Sequence, residues 1–165
     1  MSIQFDFANE TLERMSGRGL FLTVGEDKPN TMTIGWGSIS VYWGKPIFIV
    51  PVRHSRYSYS ILEDGEMFTV SVPPLTQEMN NALGICGSRS GRDTDKYGLA
   101  GLSLLPGRTV KVPVIAGCDY YYECRVLYST DLDINALPYA IQQACYKNGD
   151  EHRLYFGEIT AAYKG

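Results

Sequence analysis

The chain has no surplus of positive charge: 15 Lys and Arg stand against 18 Asp and Glu, giving a formal net charge of -3 and a pI near 5.4. That balance provides no general attraction to phosphate backbones or anionic bilayers, so neither nucleic acid nor a membrane surface is an expected partner. Long apolar runs are missing as well. The longest, Pro46 to Val52, is far too short to span a bilayer. The opening MSIQFDFANE carries acidic residues where a secretory leader needs a basic end and an apolar stretch. A cytoplasmic protein is the expectation. The four cysteines, Cys86, Cys118, Cys124 and Cys145, form no CxxC pair, and Cys118 and Cys124 on one extended strand would stand about 20 Å apart. Reduced, buried thiols are expected rather than zinc ligands or a disulfide framework. No GxGxxG is present, since GRGLFL and GWGSIS both lack the third glycine. A catalytic triad, a metal-ligand cluster and a paired-carboxylate motif are absent too.

What is present is a globular composition, 44% hydrophobic and 20% charged over 165 residues, which predicts one domain over 1–165. Tyr, Phe, Val, Ile and Thr dominate short segments punctuated by Gly and Pro, the pattern of a mainly β chain. Strands are predicted at 20–24, 31–42, 46–52, 67–72, 120–128 and 153–162. In the fifth, Tyr120, Tyr122, Cys124, Val126 and Tyr128 share one face, expected to be core, with Glu123 and Arg125 on the other. Three short helices are predicted: one capped by Ser55 and stopped at a left-handed Gly65, one capped by Thr76 and carrying Met79 and Leu83, and one capped by Asp93 and ending near Gly98. Many short strands with few helices close into a barrel or stack as a sandwich, and a barrel fits this length better.

The stretch MTIGWGSISVYWGKPIFIVPVRHSRYS, residues 32–58, folds back on itself if Gly44 and Lys45 form the turn and Pro46 starts the return. Residue 33 then faces about residue 56, and NTMTI lies beside VRHSRYS. Arg53 and Arg56 flank the predicted helix start, whose free N–H groups and positive dipole end suit an anion. Two readings fit: a phosphate socket, or solvated surface charges on a helix that needs only its cap. Asn30, Thr31, Met32 and Thr33 offer a polar strand edge against which a flat heteroaromatic ring could pair, or simply an ordinary strand start. A second basic loop, CGSRSGRDTDK, places Ser88, Ser90, Gly91 and Arg92 before Lys96. Gly87 and Gly91 there allow main-chain N–H groups to turn toward a ligand, although a polar loop entering a helix is also commonplace.

Taken together, the blocks NTMTIGWGSISVYWGKPIFIVPVRHSRYS, FTVSVP, CGSRSGRDTDKY and HRLYFGEI resemble the flavin reductase-like family, the branch that includes flavoredoxin. The resemblance covers nearly the whole chain in the family's order. It implies an FMN-binding split β-barrel of Greek-key type with a few short helices, usually a homodimer. It implies that Asn30, Thr31, Met32, Thr33 and Ile34 lie along the isoalloxazine, and that Val52, Arg53, Ser55, Arg56, Tyr57 and Ser58 surround the phosphate. Cys86, Gly87, Ser88, Ser90, Gly91 and Lys96 would close over the cofactor, and His152 would sit near flavin and interface as a catalytic or a structural histidine. The activity implied is that of an NAD(P)H-dependent flavin reductase passing electrons to a flavin or other acceptor; the alternative is an FMN electron carrier serving a redox protein. Glu151, where relatives more often show an aromatic residue, and Pro51, just before Arg53, depart from the family's pattern.

Overall fold

Two glycines divide the strand predicted over 31–42. In the computed structural model, which describes residues 5–165, β2 (Asn30–Ile34) ends at Gly35, and β3 (Ser38–Tyr42) begins after Gly37. The other main strands are β1 (Leu20–Val24), β4 (Lys45–Arg53), β5 (Met67–Val72), β8 (Tyr120–Asp131) and β9 (His152–Lys164). They form one antiparallel seven-stranded sheet in the order β2-β1-β5-β8-β9-β4-β3. The expected mainly β split barrel is what the chain adopts, with β2 and β3 as its unpaired rims. A two-stranded ribbon of β6 (Leu104–Leu105) and β7 (Val114–Ile115) lies outside it.

The turn sits one residue earlier than expected. Trp43 and Gly44 both adopt positive φ, 54° and 69°, the pairing a tight hairpin twist requires, and Tyr42 faces Lys45. Residue 33 does not face residue 56: Thr33 pairs with Phe21 of β1, at the far rim of the sheet. The curl of the whole sheet, rather than one hairpin, brings β2 toward the end of β4. Pro51 lies past the last β3 pair, Ser38 with Ile49, so on that side its missing N–H costs no ladder bond.

Leu20, Leu22, Phe48, Val50, Phe68, Val70, Tyr122, Cys124 and Tyr155 fill the barrel. The outer face of β1, β5 and β8 is covered as well, because Phe21 and Tyr121 pack with Ala82, Leu83, Cys86, Val114 and Ile115. This double burial is why LFLTV shows no polar alternation. Gly157 lets the wall close: a Cβ there would stand 2.6 Å from the Phe68 ring and 2.8 Å from Cys124 Cβ. The predicted core face of β8 holds at Tyr122 and Cys124, but register shifts at Glu123/Cys124 and Val126/Tyr128 leave Tyr128 49% exposed.

Of the predicted helices, α3 (Gln77–Ser88) is capped as expected, Thr76 accepting from the Met79 N–H. By contrast, α2 (Tyr57–Asp64) starts after Arg56 without a side-chain cap, and Gly65 is extended rather than left-handed. The third, α4 (Lys96–Ala100), is capped by Asp95 and not Asp93, because Asp95 reaches the Gly98 N–H at 3.1 Å. Two α-helices and a short 3-10 helix (Ile134–Ala136) escape the sequence reading; the α-helices are α1 (Ala8–Gly17), whose Thr11 bonds to Tyr122, and α5 (Tyr139–Cys145), which buries no residue. The four cysteines are free. The described residues contain no helix long and apolar enough to cross a membrane and no metal-ligand cluster. Residues 1–4, part of the opening read as lacking a secretory leader, lie outside the described residues.

Candidate functional site

A strand alternates its faces, so β4 turns Val52 into the core and Pro51 and Arg53 outward. There, with Met32 to Trp36 and His152, they line an open chamber of about 230 Å³. Beyond Met32 and Arg56, which line both, a second chamber of about 160 Å³ is bounded by Asn30, Ser55, Tyr57, Ser58 and Lys96 and by Gly87 to Ser90 with Arg92. The cleft is therefore a mixed polar and aromatic compartment joined to a basic one.

The basic compartment has an unusual charge arrangement. Lys96 is 4% exposed, and its ammonium donates to Thr31 O at 2.9 Å and Cys86 O at 3.2 Å. Arg56 donates to Gly87 O at 3.0 Å and Cys86 O at 3.4 Å. Neither forms an ion pair among the described residues. Burial lowers the pKa of both, and for Lys96 the Arg56 charge adds to the effect. A buried ammonium and a half-buried guanidinium, both held only by main-chain carbonyls, leave a positive hollow that an anion would neutralise. The first-turn N–H groups of α2 at Tyr57 and Ser58, which a helix cannot satisfy internally, border the same space.

Several expected contacts are placed differently. Cys86, Gly87 and Ser88 belong to the last turn of α3, so they present carbonyls, not the N–H groups read into a loop. Cys86 itself is fully buried, with its thiol pushed up to about 11 by burial, and does not line the cleft. Val52 and Thr31 are likewise turned away; the Thr31 hydroxyl bonds to Thr23 at 2.8 Å and Tyr97 at 3.0 Å. Ser55 caps nothing, because its N–H and hydroxyl both donate to the Asp150 carboxylate, at 3.0 and 2.6 Å. Gly91 lines neither chamber but a neighbouring hollow with Asn30, Tyr57 and Lys96, packed so closely on Asn30 that a Cβ there would collide with its side chain; Asn30 in turn donates to Ser58 Oγ at 2.9 Å.

Arg53 does not line the basic chamber. Its guanidinium donates to Asp150 O at 2.8 Å and Cys145 O at 2.9 Å and lies over the Tyr146 ring. Tyr146 Oη is 2.7 Å from His152 Nδ1, and Trp36 tilts against the imidazole at 5.1 Å. Burial, then the Arg53 charge, lowers the His152 pKa to about 4, so the imidazole is neutral at pH 7. The sequence reading named Arg92 in the second basic loop, and missed Trp36, Pro51, Arg89 and Tyr146 as parts of this site. Trp36 and Pro51 lie inside the block already singled out, whereas Tyr146 carries no local signal.

With this geometry in view, the sequence model of the flavin reductase like domain matches residues 13–164. An uncharacterized protein of Archaeoglobus fulgidus is 30% identical over 148 residues, covering 90% of this chain and 72% of its own; further matches, in Escherichia coli and Pyrococcus abyssi, have 61% and 66% of their lengths spanned. Among solved structures, flavoredoxin from Methanosarcina acetivorans superposes with TM-score 0.69 at 27% identity, covering 90% of this chain and 68% of its own. An FMN-binding protein from Thermus thermophilus with bound p-hydroxybenzaldehyde gives 0.68 at 25% identity, covering 89% and 71%.

Proposed function

Because the chain belongs to the flavin reductase-like domain family, we propose that its cleft holds FMN and that the protein is an NAD(P)H-dependent flavin reductase, handing electrons to a flavin or another acceptor. The observation that carries this reading is the pair of cations, half-buried Arg56 and buried Lys96, bonded to carbonyls alone beside a chamber that opens toward aromatic residues. A flat ring with a dianionic tail has the complementary chemistry. The flavin, once bound, supplies acceptance of a hydride from a reduced nicotinamide and onward electron transfer.

The chain's own residues position and shield. Arg56 and Lys96, with the first-turn N–H groups of α2, hold the phosphate through charge-assisted hydrogen bonds. Main-chain groups along the rim strand β2 face the ring system, while Trp36, Pro51 and His152 border its open side and limit water there. No dedicated nicotinamide pocket is read in the sequence, so the donor docks transiently over that open side.

Purified protein mixed with FMN is expected to retain a flavin spectrum through gel filtration and to bleach anaerobically on adding NADH or NADPH. Retention without bleaching by either donor would replace the reductase by an electron carrier; no retention at all would end both readings.

The reading includes a second copy of the chain as partner. Tyr42, Trp43, Tyr128 and Phe156 pack in one cluster of edge-to-face and tilted rings, with Trp43 59% exposed. Such aromatic patches are typical of interface centres, and the nearby Lys45–Glu158 pair supplies both signs of charge for a self-complementary rim. Sedimentation equilibrium is expected to give twice the 18.4 kDa chain mass, reverting to the monomer in Trp43→Glu; a monomeric wild type would remove this partner.

A further inference from the structure

His152 Nδ1 is satisfied by Tyr146, but Nε2 has no hydrogen-bond partner among the described residues, and the residue, 8% exposed, lines the aromatic chamber. Which nitrogen carries the proton decides what the chamber contains, a donor or an acceptor. The surroundings of Tyr146 settle the choice. The residue is 6% exposed, and the only hydrogen-bond partner of its hydroxyl among the described residues is His152 Nδ1. Were Nδ1 to donate instead, the phenolic proton would be left buried without an acceptor, which is costly.

Arg53 bears on both members. One guanidinium grips the carbonyls of Cys145 and Asp150, the two ends of the loop that carries Tyr146, and lies 5.0 Å from the centre of the tyrosine ring. A fixed cation there draws on the phenol, strengthening it as a donor, and it disfavours a second positive charge on the adjacent imidazole. His54 acts in the same direction and Asp150 against it. Trp36 supports the imidazole, tilted 46° to it at 5.1 Å.

We propose that Tyr146 is a positioning residue whose hydroxyl donates to His152 Nδ1, fixing the imidazole as a neutral Nε2–H donor aimed into the aromatic chamber at a carbonyl oxygen of the ligand there, with Arg53 as the clamp that holds the tyrosine. The carbonyl as acceptor rests on the flavin reading above, because flavin rings and nicotinamides both carry such oxygens; the tautomer is a property of the chain alone. A proton-bearing Nε2 stabilises oxygen on which negative charge develops without itself giving up a full positive charge to the chamber.

The test is ¹⁵N NMR of histidine-labelled, flavin-free protein at pH 7, with His152 distinguished from His54 by comparison with His152→Gln. His152 is expected to appear as one neutral tautomer, protonated at Nε2. Tyr146→Phe is expected to shift the tautomer ratio about tenfold toward Nδ1–H, the scale of one net hydrogen bond. A wild-type signal protonated at Nδ1 overturns the assignment without need of any variant, as does a Tyr146→Phe ratio equal to the wild type's. In flavin-loaded protein, Tyr146→Phe is expected to lower kcat with little change in KM and to add nothing to His152→Gln. Failure to bind FMN with the Nε2–H tautomer intact would count against the function proposed above and leave the tyrosine's role standing.

Discussion

Lys96→Met is expected to weaken FMN retention about tenfold to a hundredfold while leaving the stability of the flavin-free chain within about 1 kcal/mol of wild type. The first half follows from losing one charge-assisted hydrogen bond to a phosphate, about 1.5–3 kcal/mol. The second follows from two opposed terms. Methionine keeps the aliphatic stem and removes a buried ammonium that has no carboxylate partner, relieving a desolvation cost of several kcal/mol. Against that, the carbonyls of the fully buried Thr31 and Cys86 lose a donor, a cost of about 1–3 kcal/mol each that offsets the relief. Fluorescence titration with FMN, paired with urea unfolding of the unloaded protein, separates the two quantities. Unchanged affinity would remove Lys96 from the phosphate site, and a large loss of stability would make it a structural lysine instead.

Glu123→Ala is the opposite case, expected to cost about 3–5 kcal/mol of stability with no change in the flavin affinity of the folded protein. The carboxylate is fully buried. It accepts from the N–H groups of Arg108, Thr109 and Val110 at 2.7, 2.5 and 3.1 Å, from the Thr109 hydroxyl and from Tyr163 Oη at 2.6 Å. Removing it strands these donors inside the fold, the situation in which a lost buried partner is most expensive. Burial pushes its pKa up, but the hydrogen bonds led by the Arg108 N–H outweigh it, and the net shift is downward from 4.5. The stabilisation linked to that shift is thus fully present above about pH 4.5 and is lost as pH falls through the lower folded value. Urea unfolding of wild type and variant at pH 7 and pH 3.5 should show the difference between them narrowing in acid. A constant difference would mean that the carboxylate's charge contributes nothing.

These two residues also mark what sequence alone conveyed. Lys96 was legible because it stands in a short basic, glycine-containing block, and such blocks carry their chemistry locally. Glu123 was not: alternation put it opposite the core face of β8, yet a second apolar layer covers that side of the sheet, and periodicity within one strand does not report what packs outside it. The meeting of β2 with the end of β4 was anticipated for the wrong reason. A hairpin is a local feature that a sequence displays, whereas closure of a seven-stranded sheet depends on pairings such as Phe68 with Cys124 across more than fifty residues. Arg53 shows the same limit. Its neighbours in sequence suggested a phosphate, but its partners come from Cys145 and Asp150, over ninety positions away.

The chain has two tryptophans. Trp36 is half exposed in the wall of the aromatic chamber, and Trp43 occupies the outer hairpin turn and lines neither chamber. The protein thus comes with its own optical gauge: a conjugated molecule entering the chamber would lie against the Trp36 indole and dim its emission by contact. Occupancy can be followed by ultraviolet light without attaching a dye.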